Sequence, residues 1–500
     1  MKLEERIQEL QKIFKENEGL KVRKFYAFKK EFAILYLESF ADFDIISKDI
    51  LSPILTSNKK FDRNKKYLQK DKNNDDEPKD AFMSFLCYEV LFASEVTATD
   101  KVEKMVTKLT RGEKLILVDK KKEGILIDCK KLEKRAIVEP PTNNVINGPR
   151  EGFIEDVNSN INLVRKRLVT SDLKIESLNV GRYTKTKVAI MYLTSIADKK
   201  VVKKIKERIK KIDIDGILDS YYLQDYLEEL PNSIFKQVGF TEKPDILVGK
   251  MLEGRVGILV DGSPIALTLP FIIIEDLQGG GDYYEENNKV TFIRVLRLFG
   301  LMVSITMPGI YIALQLYHYK ALPIKFLVTI INSSQNIPMP PAIEVLFAFF
   351  MFEILYEASI RTPKSLGSSF NIIGALILGD TAVKSNLASA PTIMIVALSS
   401  IAIYLLPEGI NVVRILRFAM TLMGAILGIV GLCLGLIFVV GYLCDFDSYG
   451  ADYLSPFTPL KPSDLKDSYF KANLRQMKKR PESLPQKNMI RQGDSYDEEK

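Results

Sequence analysis

The chain has 500 residues, 47% hydrophobic and 27% charged, with a formal charge of +7 and a mean hydropathy of +0.02. Those averages conceal a division: of the 133 charged residues, only 12 fall in the 147 residues from Leu298 to Cys444. A charged part is joined to a lipid-compatible part, which excludes a wholly soluble enzyme, a secreted disulfide scaffold and a fibrous chain.

Along the chain, MKLEERIQELQKIFKENEGLKVRK is charged and helical in pattern. It has no apolar h-region, so no signal peptide is predicted and the N-terminal part is expected in the cytoplasm. Residues 1–60 are predicted as two or three amphipathic helices, and the polar stretch 61–80 as a linker. A first α/β subdomain is placed at 81–150, with KLILVDK (114–120) and EGILIDCK (123–130) as a hairpin. A second α/β subdomain is placed at 151–290. It is expected to hold a helix over Phe153–Leu168, a strand over KVAIMYL (187–193) and a charged helix over Asp198–Lys211. IDIDGIL (212–218) reads as another strand, and RVGILVDG (255–262) with IALTLP (265–270) as a closing hairpin. The sequence shows no internal repeat. The paired lysines at 199–211 read as a solvated helix face with some attraction to anionic membrane, and no nucleic-acid partner is expected.

An all-α transmembrane domain is predicted at 291–445. Leu298–Tyr317 is 20 residues without a charge, about 30 Å as a helix, preceded by Arg294 and Arg297 on the inner side. Ala342–Ile360, Asn386–Leu406 and the stretch from about Met420 within Ile410–Leu443 complete four crossings. Two short or re-entrant segments lie at 326–341 and 371–383. An even count places the tail, 446–500, on the same side as the N-terminal domain, and part of it is expected to be disordered.

Chemistry-bearing residues are few. A single histidine, His318, and four scattered cysteines predict no metal site, and no phosphate loop, dinucleotide fingerprint or nucleophile elbow is present. No cofactor and no covalent catalysis are expected. In EVLFAFFMFEILYEASIR, Glu353, Glu357 and Arg361 recur every four residues and share one helix face, with Glu344 at its start. At bilayer depth such groups cost roughly 2.5–3.5 kcal/mol each, so they should face protein or water. Two readings stand side by side: an interhelical polar clamp, or the cation-attracting wall of a pore. Asp380, beside Gly379, is either a pore residue at a broken segment or a plain helix N-cap. In the soluble part, Arg150 and Glu151 follow the Gly148–Pro149 turn. They form a rigid connector or an intersubunit contact, and Arg255 and Asp261 are placed with them as interface residues. Glu253 and Asp261 mimic a catalytic carboxylate pair, but a hairpin turn explains them better.

The blocks EPPTNNVINGPREGFIEDVNSNINLVRKRL, VGRYTKTKVAIMYL, TEKPD, LEGRVGILVDGSP, RVLRLFG and EVLFAFFMFEILYEASIRTPKSLGSSFNIIGALILGDTAV, in this order, resemble the A subunit of the GerA-type spore germination receptors. The likeness spans roughly residues 80–460. It implies an integral protein of the spore inner membrane that acts with a transporter-like B subunit and a lipoprotein C subunit. It further implies a pentameric ring acting as a nutrient-gated channel for monovalent cations. Three positions depart from the family pattern. Lys243 stands where Arg is usual, at an expected surface turn; Tyr356 stands where an Arg commonly precedes the Glu-Ala pair; Asp452 replaces a Pro. The stage V sporulation branch of the family, a secondary transporter and a non-conducting scaffold are the alternatives.

Overall fold

The computed structural model describes residues 2–14, 19–41, 43–57, 61, 78, 80–91, 93, 95–128, 147–361, 376, 379–406 and 409–493. Most of the expected linker at 61–80 and part of the short segment at 371–383 lie outside the described residues. The chain divides into two units: Met1–Pro231, Gln237–Phe271 and Lys479–Lys500 form the first, and Asn232–Lys236 with Ile272–Lys478 the second.

The first unit holds two five-stranded antiparallel sheets. Helix α1 (Leu3–Ile13) precedes β1 (Leu20–Ala27) and β2 (Lys30–Leu37). After short helical turns come β3 (Val96–Thr99), α2 (Val102–Thr110), β4 (Lys114–Val118) and β5 (Gly124–Ile127). The second sheet is built from α3 (Val157–Arg167), β6 (Leu173–Val180), β7 (Thr186–Leu193), α4 (Lys199–Lys210) and α5 (Ser220–Leu227). It continues with β8 (Gly239–Thr241), α6 (Pro244–Leu252), β9 (Val256–Val260) and β10 (Ala266–Leu269). The strand orders are β1-β2-β4-β5-β3 and β6-β7-β9-β10-β8. Adding five to each strand number of the first gives the second. The unit is a structural duplication with no matching repeat in sequence.

The central strands KLILV and VGILV are buried along their whole length, so they read as continuous apolar runs instead of alternating ones. In the first sheet, Phe32, Ile34, Ile116 and Val118 pack on one face with Phe82 and Phe85. Leu35, Leu115 and Leu117 pack on the other with Leu3, Ile7 and Leu109. Helix α4 buries Val201, Val202, Ile205 and Ile209, the stripe its period demands, and Asp198 caps it by accepting from Lys200 N at 2.6 Å.

Two local expectations are corrected. The segment 20–37, expected as helix, is a hairpin whose two-residue turn, Phe28–Lys29, has φ of 47° and 62°. Neither residue is the Asn or Gly that usually marks such a turn, so the signal was missing. IDIDGIL is not a strand. Its carbonyls at Ile214 and Asp215 instead accept from Arg182 N at 2.8 Å and Tyr183 N at 2.9 Å, in the loop between β6 and β7.

The second unit is helical: α7 (Asn287–Leu316), α8 (Ile324–Ser334), α9 (Pro341–Arg361), α10 (Ala390–Ala402) and α11 (Ile410–Cys444). Among the described residues, α7 and α11 are long and apolar enough to cross a membrane. Helix α10 has 13 residues and continues as a 3-10 turn over Ile403–Leu405, so its helical part is shorter than the 386–406 stretch expected there.

Helix α11 is not one rod. Gly428 sits at φ 64°, ψ −146°, outside helical space. A Cβ on Gly435 would stand 2.8 Å from Met420 Sδ, and one on Gly431 2.4 Å from Met423 O. In a straight helix residues 420 and 435 would be about 22 Å apart. The chain therefore reverses at Gly428 into two antiparallel arms, which corrects the expected interfacial start followed by one crossing. Tyr317, just past α7, donates its hydroxyl to Ala425 O and Ile426 O, both at 2.9 Å, and so satisfies carbonyls freed at the reversal. Both arms return to the end where α7 begins: a Cβ on Gly409 would lie 3.8 Å from Asp276 Oδ2, and Ile273 N donates to Tyr453 O at 3.0 Å.

Candidate functional site

The acidic residues of α9 lie in three separate settings. Glu344 is 2% exposed and its Oε1 accepts from Ser389 N at 2.6 Å and Ser389 Oγ at 2.7 Å. Ser389 is the N-cap of α10, and Thr392 extends the network to Tyr311 on α7 at 3.2 Å. A carboxylate at a helix N-terminus is favoured by the orphan N–H groups and the dipole. Glu344→Ala removes the acceptor and leaves a buried N–H unsatisfied, so it is expected to lower stability by about 1–3 kcal/mol, read as an earlier thermal unfolding of the purified chain. Glu344→Gln is expected to lose less.

Glu353 lies across from α11. Its Oε1 accepts from Arg417 Nη2 at 2.9 Å, and Arg414 Nε stands 3.7 Å from Oε2. Arg417 is 4% exposed, bonds Ser400 Oγ at 3.0 Å and covers the Phe349 ring at 4.5 Å. Arg414 lies 3.7 Å over the ring of Tyr356, and Tyr356 stacks on Tyr404. A cation on α11 thus covers an aromatic face of α9. Glu357 and Arg361 form their own i, i+4 pair at 2.7 Å, both well exposed, and Asp380 pairs with Lys384 at 2.6 Å, also exposed. The four-residue spacing of α9 does not produce one acidic column: Glu353 turns to α11, and Glu357 turns to Arg361.

A network that sequence reading missed closes the other end. Arg294, the first basic residue of RVLRLFG, is fully buried. Its Nε donates to Asp282 Oδ2 at 2.9 Å, and its Nη1 donates to Asp467 Oδ1 at 2.9 Å and Ser468 O at 2.9 Å. Arg297 holds the same Asp282 at 2.9 Å, Tyr283 donates to Asp467 at 2.8 Å, and Lys471 Nζ donates to Asp282 O at 2.7 Å. The available signal was the Arg pair ahead of the first apolar run. Its partners 173 residues on carried none.

In the first unit, Glu151 pairs with Lys166 at 3.0 Å and Arg167 at 2.6 Å on α3. Partial burial pushes its carboxyl up, but the hydrogen bonds and charges of those two bases outweigh it and leave the carboxyl below its usual range. Arg150 is exposed. Asp261 accepts from Val157 N at 3.2 Å at the start of α3, while Arg255, 3% exposed, pairs with Glu253. Glu253 and Asp261 therefore serve different partners. Lys243 corrects the surface-turn expectation: it is 0% exposed, with Nζ 3.7 Å from Asp245 Oδ2.

An α/β part followed in the chain by apolar helices, two of them long enough to cross a membrane, points to a membrane-associated protein with a folded polar part. The family model described as Bacillus/Clostridium GerA spore germination protein matches residues 8–483. Spore germination protein KA of Bacillus subtilis is 36% identical over 400 residues, covering 80% of this chain and 74% of that one. The uncharacterized membrane protein YfkQ of the same organism is 37% identical over 394 residues, covering 78% and 77%. Spore germination protein B1, also from Bacillus subtilis, is 33% identical over 401 residues, covering 80% and 82%. Among solved structures, the N-terminal domain of the A subunit of the Bacillus megaterium spore germinant receptor GerK3 aligns with 53% of this chain and 93% of its own, at 29% identity and a TM-score of 0.38. The chain belongs to the GerA family of spore germination proteins.

Proposed function

We propose that this chain is the A subunit of a nutrient germinant receptor in the spore inner membrane, and that several copies form a cation-conducting ring opened when a partner subunit binds nutrient. The carrying observation is the exposure of ionisable groups on an otherwise apolar helix. Glu353 is 40% exposed, Glu357 58% and Arg361 79%. At lipid depth each would be costly unless another copy or a column of water covers it. Monovalent cations released from the spore core would pass that column, and the differential affinity that opens it resides in the transporter-like and lipoprotein partners. No covalent catalysis enters. The return of both arms of α11 to the start of α7 supports an N-terminal domain and tail on one side of the membrane. Relatives named as spore germination proteins KA and B1 favour the receptor branch over the stage V sporulation branch.

Glu353→Gln is expected to reduce germinant-triggered ion release from spores at least several-fold while assembly with the partner subunits is retained. Ion release unchanged in an intact assembly would remove Glu353 from the path. A second reading has its own support: Arg417 is buried and bonded to Glu353 and Ser400, as a structural clamp between α9 and α11 would be. In that case Glu353→Gln lowers the unfolding temperature and the yield of assembled receptor instead of the flux per receptor.

A further inference from the structure

The five-stranded sheet whose edge strand is β6 carries, on its β6–β7 side, a cavity of about 500 Å³ whose wall is basic. Lys174 on β6, Lys199, Lys203 and Lys206 on one face of α4, and Lys487 from the C-terminal tail line it, and among the described residues no acid is part of the lining. Tyr192 and Val202 supply an apolar side. Glu176, behind the wall, accepts from Tyr192 and pairs with Lys206, and stands 3.9 Å from Lys174. Partial burial pushes the Glu176 carboxyl up, but Lys206, Tyr192 and Lys174 outweigh it, so it stays ionised and fixes the wall. Glu207 meets Lys203 only at 3.7 Å on the solvent side.

The tail reaches this place through one backbone bond and two side-chain bonds to backbone carbonyls. Lys487 N donates to Ile196 O at 2.8 Å, Lys487 Nζ donates to Thr194 O at 3.1 Å, and Arg480 Nε donates to Leu252 O at 2.7 Å. A solvated helix face accounts for lysines on α4 alone. It does not account for one more from β6 and one delivered by a segment 281 residues after Lys206, all around one concavity. Like charges gathered in a cleft repel one another and focus a field that draws anions, and lysine is a point-charge binder of phosphate.

We infer that this cavity binds a phosphate-bearing anion, and that the bound anion pins the C-terminal tail to the α/β unit because Lys487 belongs to the tail. The phosphate comes from a soluble compound or from an anionic lipid headgroup. The site stands independently of any ion path through the helices.

The test uses the full chain in nanodiscs of zwitterionic phosphatidylcholine. Calorimetric titration with inorganic pyrophosphate in one arm, and with water-soluble dihexanoylphosphatidylglycerol in the other, is expected to show saturable binding that weakens as salt is raised. The arm that responds identifies the source. Lys199→Gln with Lys203→Gln, at exposed positions that leave the fold intact, is expected to weaken binding at least tenfold. Lys487→Ala is expected to weaken it several-fold and to abolish ligand protection of residues 479–493 from protease. Absence of saturable binding in both arms, or affinity unchanged by the double substitution at an unchanged unfolding temperature, overturns the assignment.

Discussion

Replacing Arg294 by Met is expected to cost about 3–5 kcal/mol, close to the whole margin of a typical domain, because it removes one partner of a buried ionic network. The apolar side chain fills a similar space but leaves Asp467 and the Ser468 carbonyl facing it, while Asp282 keeps Arg297. The loss should appear as a lower unfolding temperature of the full chain in detergent and a lower yield of monodisperse protein. Arg294→Lys keeps the charge without the fork that reaches two carboxylates, so it should recover only part. Combining Arg294→Met with Asp467→Asn should cost less than the sum of the two. Strict additivity would show that the contact carries no coupling. The network ties the approach to α7 to the segment after α11, so its loss separates the two ends of the helical unit.

The second large effect is steric. A Cβ on Gly424 would lie 2.5 Å from Gly309 O and 2.8 Å from Gly309 Cα, against backbone that has no rotamer to yield. Gly309 in turn would meet Met420 O at 2.8 Å. Small residues at such crossings let helix backbones touch, which is a main source of packing energy in lipid. Gly424→Val forces α7 and α11 apart and is expected to cost about 3 kcal/mol or more. Gly441→Ala, where nothing lies within 4 Å, is the matched control and should leave the unfolding temperature unchanged. Equal behaviour of the two variants would refute the close crossing.

How much of this was readable follows from the range over which each interaction acts. The strands within KLILVDK, KVAIMYL and RVGILVDG are β-rich apolar runs, and α4 shows its stripe in the spacing of four apolar residues. Local pattern suffices for both. The hairpin at 20–37 failed because its turn lacks the usual residues. The duplicated sheets were invisible because a strand order is a set of long-range pairings, and unrelated apolar residues satisfy the same burial. At the site, the spacing of Glu353, Glu357 and Arg361 correctly put three ionisable groups on one helix. It could not assign Glu353 to Arg417, 64 residues away.

Residue by residue, then, the amino-acid order determined the division into a charged part and an apolar part, half of the strands of the two sheets, the charged helices and the family. These rest on composition and on neighbours within one or two turns. Tertiary structure alone decided that α11 doubles back at Gly428, that Arg294 meets Asp467 and that the tail supplies Lys487 to a basic cavity. Each depends on segments far apart in the chain being brought within a few ångströms, and chain entropy gives the sequence no local preference for one distant partner over another.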